Sequence, residues 1–240
     1  MIRIACSSLL VLLCACQPSP SPPPPQETAS GADAAAFVLP GDFAESTTVD
    51  DLRARFGADH VVIEEPAPAI DAARRVVLFA DDPARRAYVE FHDPEALAGI
   101  ASITVRDAGS VWRGKHGVRI GMTFAQLRQA NGGPFAYHGF DEDGIARVRD
   151  QWSPAVDDES RLGALDVDDG EHMYFGVDLA LREGAYLGAH LREGAGTAPA
   201  ADDWPRDESL SSDDPRYPRL GEMAVVTAMV ASTSLDDEWE

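Results

Sequence analysis

The chain has 240 residues, of which 45% are hydrophobic, 25% charged and 8% aromatic, the balance of a globular protein rather than a disordered or fibrous one. Its 41 acidic residues against 20 basic ones give a formal charge of −21. So negative a surface repels phosphate backbones and anionic headgroups, which excludes nucleic acid as a partner and a basic patch as a membrane dock.

The three cysteines, Cys6, Cys14 and Cys16, all lie in the first sixteen residues. The body that follows therefore has no disulfide, no cysteine-based zinc site and no cysteine nucleophile. The amino terminus has Arg3 and then the apolar stretch Leu9 to Leu13, which are export-signal features; the run is too short to span a bilayer. Leu13-Cys14-Ala15-Cys16 resembles the lipobox of bacterial lipoproteins. That resemblance implies a lipid on Cys16, cleavage before it, and a stable multi-chain anchor in a Gram-negative envelope. Gln17, where an aspartate would favour the inner membrane, implies sorting to the outer membrane, on its periplasmic side. An ordinary cleaved signal peptide, releasing a soluble periplasmic protein, is the alternative.

Residues 17–36 are rich in Pro, Ser and Ala and lack a core-forming pattern. Polyproline II at about 3.1 Å per residue makes them a tether of roughly 60 Å at most. Beyond it, Thr48-x-x-x-Leu52-Arg53-x-x-x-Gly57 repeats as Thr123-x-x-x-Leu127-Arg128-x-x-x-Gly132, 75 residues on. Each copy predicts a short helix. Thr48 and Thr123 cap it, Asp51 and Gln126 return the bond, and Gly57 and Gly132 end it in a left-handed turn. Asn131 takes the place on the second apolar face that Phe56 holds on the first; beside Gly132 it reads foremost as a group bonding free carbonyls.

Strand-like runs follow each helix. After the first come Val61–Ile63, Val76–Phe79, Ala87–Phe91 and Ile100–Val105, with a hairpin connection at 81–84. After the second come Phe135–Tyr137, Ile145–Val148, His172–Val177, Tyr186–Leu191 and Met223–Ser232, with acidic, Pro- and Ser-rich loops between the later ones. The predicted fold class is α+β: two tandem units of short helix plus antiparallel sheet, helices packed on one sheet face. The expected divisions are a signal peptide (1–15), a lipidated cysteine and tether (16–36), a first unit (37–116), a second unit (117–235) and an acidic tail (236–240).

Gly117 to Thr123, Leu127, Asn131 to Phe135 and Gly139-Phe140, preceded by Gly109 to Trp112, contain the core Gly-Met-Thr-x-x-x-Leu-x-x-x-x-Gly-x-Pro. This segment resembles the BamE (SmpA/OmlA)-type outer-membrane lipoproteins and the repeats of the β-lactamase-inhibitor-protein fold. The resemblance covers residues 109–140 and, more loosely, 48–57. It implies helices on one face of an antiparallel sheet and protein binding rather than catalysis.

Catalytic signatures are missing. The six histidines show no metalloprotease spacing, and no nucleophile elbow, Walker loop or dinucleotide fingerprint is present. Two acidic groups have cation-ligand composition: His138, Asp141, Glu142 and Asp143, and Asp166, Asp168, Asp169, Glu171 and His172. Neither completes a calcium loop, because positions six and twelve counted from Asp166 hold Glu171 and Val177; both groups read as solvated acidic turns. No cofactor is expected. The expected function is a non-catalytic protein-binding or envelope-assembly accessory module, anchored through Cys16 and holding an envelope protein with Tyr137 and Phe140 of the second sheet. A surface-tethered hydrolase built from scattered Asp, Glu and His is the alternative.

Overall fold

The computed structural model describes residues 37–66, 73–141, 143–149, 152–153, 163–166, 172–182, 205 and 209–233. The signal peptide, Cys16, the tether, the expected strand Tyr186–Leu191 and the acidic tail lie outside them. Among the described residues no helix is long and apolar enough to cross a membrane.

Both expected helices form: α1 is Val49–Phe56 and α2 is Phe124–Asn131. Each opens with a reciprocal capping box. The Asp51 N–H donates to Thr48 Oγ1 (3.2 Å) while the Thr48 N–H donates to Asp51 Oδ2 (2.9 Å). Gln126 and Thr123 exchange the same two bonds at 3.2 and 2.9 Å. These bonds satisfy amides that the first turn leaves without partners. Gly132 (φ 76°, ψ 4°) ends α2 in the left-handed conformation, whereas Gly57 (φ 92°, ψ 139°) has positive φ but an extended ψ. A third helix, α3 (Leu220–Met223), was not foreseen.

Nine strands are described: β1 (Val61–Glu64), β2 (Arg75–Leu78), β3 (Ala87–Asp93), β4 (Ala98–Val105), β5 (Ala136–His138), β6 (Ile145–Val148), β7 (Tyr174–Leu181), β8 (Ser209–Ser211) and β9 (Ala224–Ser232). They join into one antiparallel sheet in the order β1-β2-β3-β4-β9-β7-β6-β5-β8. This corrects the expected fold class. Instead of two tandem helix-plus-sheet units, the described residues form mostly a single large sheet with three short α-helices. β9 is the reason: it pairs with β4 along one edge and β7 along the other, so no sheet boundary separates the early strands from the late ones. Seven of its nine residues are buried, which suits a central strand with a near-continuous apolar run.

The core collects Leu52 and Phe56 from α1, Phe124 and Leu127 from α2, and one face of the sheet. Phe37, Phe43, Phe56, Phe79 and Trp112 form one group of ring contacts with centroids 5.2–6.3 Å apart. Phe124, Phe135, Tyr137, Trp152 and Phe175 form another. The two buried indoles spend their N–H groups on backbone carbonyls, Trp112 on Arg85 (2.8 Å) and Trp152 on Phe175 (2.7 Å). Gly114 admits the Phe175 ring: a Cβ there would stand 2.2 Å from it.

Candidate functional site

Tyr137 and Phe140 do not form a binding surface. They are 3% and 2% exposed, and the Tyr137 ring meets Phe124 edge-on at 5.2 Å. Phe140 is tied down further, its N–H donating to the Pro205 carbonyl at 2.9 Å. A hot-spot side chain must reach its partner, so the expectation that these two rings anchor one is corrected: they are core.

Nor do the described members of the acidic groups converge. Among the described residues no three His, Cys, Asp or Glu side chains are placed to hold a metal ion. Asp141 instead accepts from the Ile145 N–H (2.9 Å) and pairs with Arg147. Burial alone would raise its carboxyl; those bonds outweigh it and hold the group below the usual carboxylate range. Asp166 lends its backbone carbonyl to Lys115. Glu142, Asp168, Asp169 and Glu171 lie outside the described residues. Asn131 is 3% exposed and fully employed: Nδ2 donates to the Trp152 carbonyl (2.7 Å) and, at 3.3 Å, to those of Gly133 and Pro134, while Oδ1 accepts from the Leu165 N–H (3.2 Å). It is a structural pin.

The sheet face turned away from the core carries the chemistry. Four buried apolar residues, Val77, Ala136, Ala228 and Val230, stand outside the core cluster and mark this second face. Register places Val77, Tyr88, Thr104, Val230 and Gly176 side by side across β2, β3, β4, β9 and β7. Two guanidiniums rest against the Tyr88 ring, Arg75 at 4.8 Å and Arg106 at 4.1 Å from its centroid. Arg75 also pairs with Glu64 at 2.8 Å. Further along, Arg149 pairs with Asp178 at 2.7 Å and Arg147 with Asp141. The face thus alternates cations, acids and a tyrosine, with Ser102 donating to Glu90 at 3.1 Å between them. The Arg75–Glu64 pair is the most exposed of these; Arg147–Asp141 and Arg149–Asp178 keep under a quarter of each side chain in solvent.

The sequence already held the signal for this face. Tyr88 alternates with Ala87 and Val89, and Arg147 and Arg149 alternate with Ala146 and Val148, placing the polar members opposite the core. What it lacked was Arg106 and Arg75 meeting over one ring.

A shallow groove of about 920 Å³ runs beside the start of α1, lined among others by Thr48, Val49, Ile63, Leu97 and His172. The capping box already uses the Thr48 and Asp51 N–H groups at this end of the helix. No protein-family model, curated protein or solved structure matches the chain.

Proposed function

We propose that the protein is an outer-membrane-anchored lipoprotein on the periplasmic side, held by lipid on Cys16, whose body is a non-catalytic protein-binding or envelope-assembly accessory module. The exposed part of the sheet face around Tyr88, Arg75 and Arg106 is its docking surface. The anchor rests on Leu13 to Cys16, and the Pro-rich stretch behind it supplies reach. The binding role rests on one observation above all: Tyr88 flanked by Arg75 and Arg106 on a sheet face that the core does not use. Tyrosine and arginine are the residue types in which interface energy concentrates. The overall charge of −21 draws a basic partner, or a neutral one with a basic patch, at long range, while the arginines of the face select carboxylates or ring faces at contact.

The hydrolase reading gains no support from the described acids. Asp51, Asp82, Asp141 and Asp214 all titrate below the ordinary range, held there by caps or guanidiniums, the opposite of what a proton donor requires. The experiment is co-purification from cross-linked envelopes of wild type and a Tyr88→Ala, Arg106→Ala double variant that retains its melting transition. Loss of the same proteins from the variant supports the face; equal recovery removes it. For the anchor, Cys16→Ser abolishes lipid labelling and leaves unprocessed precursor; wild type in the soluble periplasmic fraction without label overturns it.

A further inference from the structure

β1 is the first strand of the sheet order, so among the described residues one of its edges has no neighbouring strand. The Phe79 N–H donates to the His60 carbonyl at 2.8 Å, in register with Val61 opposite Leu78. Antiparallel bonds recur at every second residue, so Val62 and Glu64 turn their amides toward β2, and Val61 and Ile63 turn theirs outward. The Val61 N–H is taken by the Ala58 carbonyl. Among the described residues, what remains without a partner at the edge is the Val61 carbonyl together with the Ile63 N–H and carbonyl.

Two features set this edge apart. Val62, at its middle, is 41% exposed; Val111 is the other large apolar side chain so exposed among the described residues. The strand carries no lysine, proline or bulge, and its one charged residue, Glu64, stands at its end and is paired with Arg75. β8, at the opposite edge, is only three residues long and is followed by Asp213.

We propose that β1 pairs antiparallel with β1 of a second copy, with Val62 on the twofold axis. Val61 then faces Ile63 of the partner subunit, and each Ile63 N–H donates to the opposite Val61 carbonyl. That uses the one acceptor left on Val61 and asks nothing of its engaged N–H. Val62 meets its own copy as a non-hydrogen-bonded pair, the arrangement that brings side chains closest, at a Cα separation of about 4.5 Å. Glu64, already paired with Arg75 at 2.8 Å, falls opposite position 60, a histidine, rather than another acid. Donors meet acceptors and apolar meets apolar, which is why the occupant is a second copy. The charge of −21 on each chain opposes the contact, so it is weak and strengthens with salt. None of this depends on the docking face.

The test is disulfide trapping in the full chain. Val62→Cys places two thiols across the axis at a spacing a disulfide accepts, whereas Val111→Cys is a control of matching exposure, at 42%. Under mild oxidation we expect a covalent dimer from Val62→Cys at least ~10-fold faster than from the control, faster still with salt, and a peptide joining position 62 to position 62. Equal rates, or position 62 joined to a native cysteine or to another protein, overturns the proposal. Val62→Glu, with two carboxylates on the axis, lowers the weight-average mass in sedimentation at high salt; an unchanged mass counts equally against it.

Discussion

At the scale of single residues, Asn131 shows how a polar side chain comes to occupy an apolar position. Burying an amide is costly unless its donors and acceptors are met, and here the chain segments at 133–134, 152 and 165 all bond to it. Asn131→Leu keeps the volume but strands the Trp152 carbonyl and the Leu165 N–H, each worth about 1–3 kcal/mol. A loss of roughly 2–5 kcal/mol by denaturant titration is expected; a loss under ~1 kcal/mol would mean that water replaces the amide. Gly163 is the counterpart. A Cβ there would stand 2.1 Å from Asn131 Oδ1 and 2.3 Å from the Trp152 carbonyl. Gly163→Ala therefore destabilises by roughly 1–3 kcal/mol through overpacking, and the effect shrinks in an Asn131→Ala background, where the clashing amide is gone.

At the scale of elements, the helices are only eight residues long, below the length at which helices are stable alone in water. Their caps and their buried leucines hold them. Thr48→Ala and Thr123→Ala each remove a side-chain acceptor and cost about 0.5–2 kcal/mol. Leu52→Ala and Leu127→Ala, at sites with no solvent exposure, cost about 2–5 kcal/mol. Equilibrium unfolding by far-ultraviolet dichroism ranks them: a cap variant costing more than its leucine variant would show that tertiary packing is not the main support. The helices were legible in the sequence because capping residues and glycines act within a few positions of each other. Strands β1, β2, β3, β4, β6 and β9 were legible too, through alternation or apolar runs. β8 was not, because Ser209-Leu210-Ser211 has no local signal and is a strand only by pairing with β5.

At the scale of the whole molecule, the excess acid makes pH and salt informative. Asp82 is held down by the Arg85 side chain, and Asp141 by Ile145 and Arg147 against the effect of its burial. A depressed carboxyl binds its proton less readily folded than unfolded. Its stabilisation is complete above the unfolded pKa, near 4, and is lost as pH falls through the lower folded value. The melting temperature is therefore expected to hold from neutrality to about pH 5 and to drop below about pH 4, with a shallower drop in Asp141→Asn. A drop beginning above pH 6 would implicate histidines instead. Added salt should raise the melting temperature near neutrality by screening the repulsion among the acids.

The sequence by itself determined what local chemistry decides: the charge, the confinement of cysteine to the first sixteen residues, the two capped helices, and most of the strands. Only the tertiary structure decided which strands lie side by side, since a β9 pairing with both β4 and β7 reads the same in sequence as one pairing with either. That single choice turned two expected units into one sheet. It also fixed which aromatics are core. Tyr137 and Tyr88 both sit in short strands, yet Tyr137 points into the packed interior beside Phe124 while Tyr88 lies on the far face between arginines from β2 and the end of β4. Period-two alternation says that neighbouring side chains oppose each other; only packing says which of the two sides is buried.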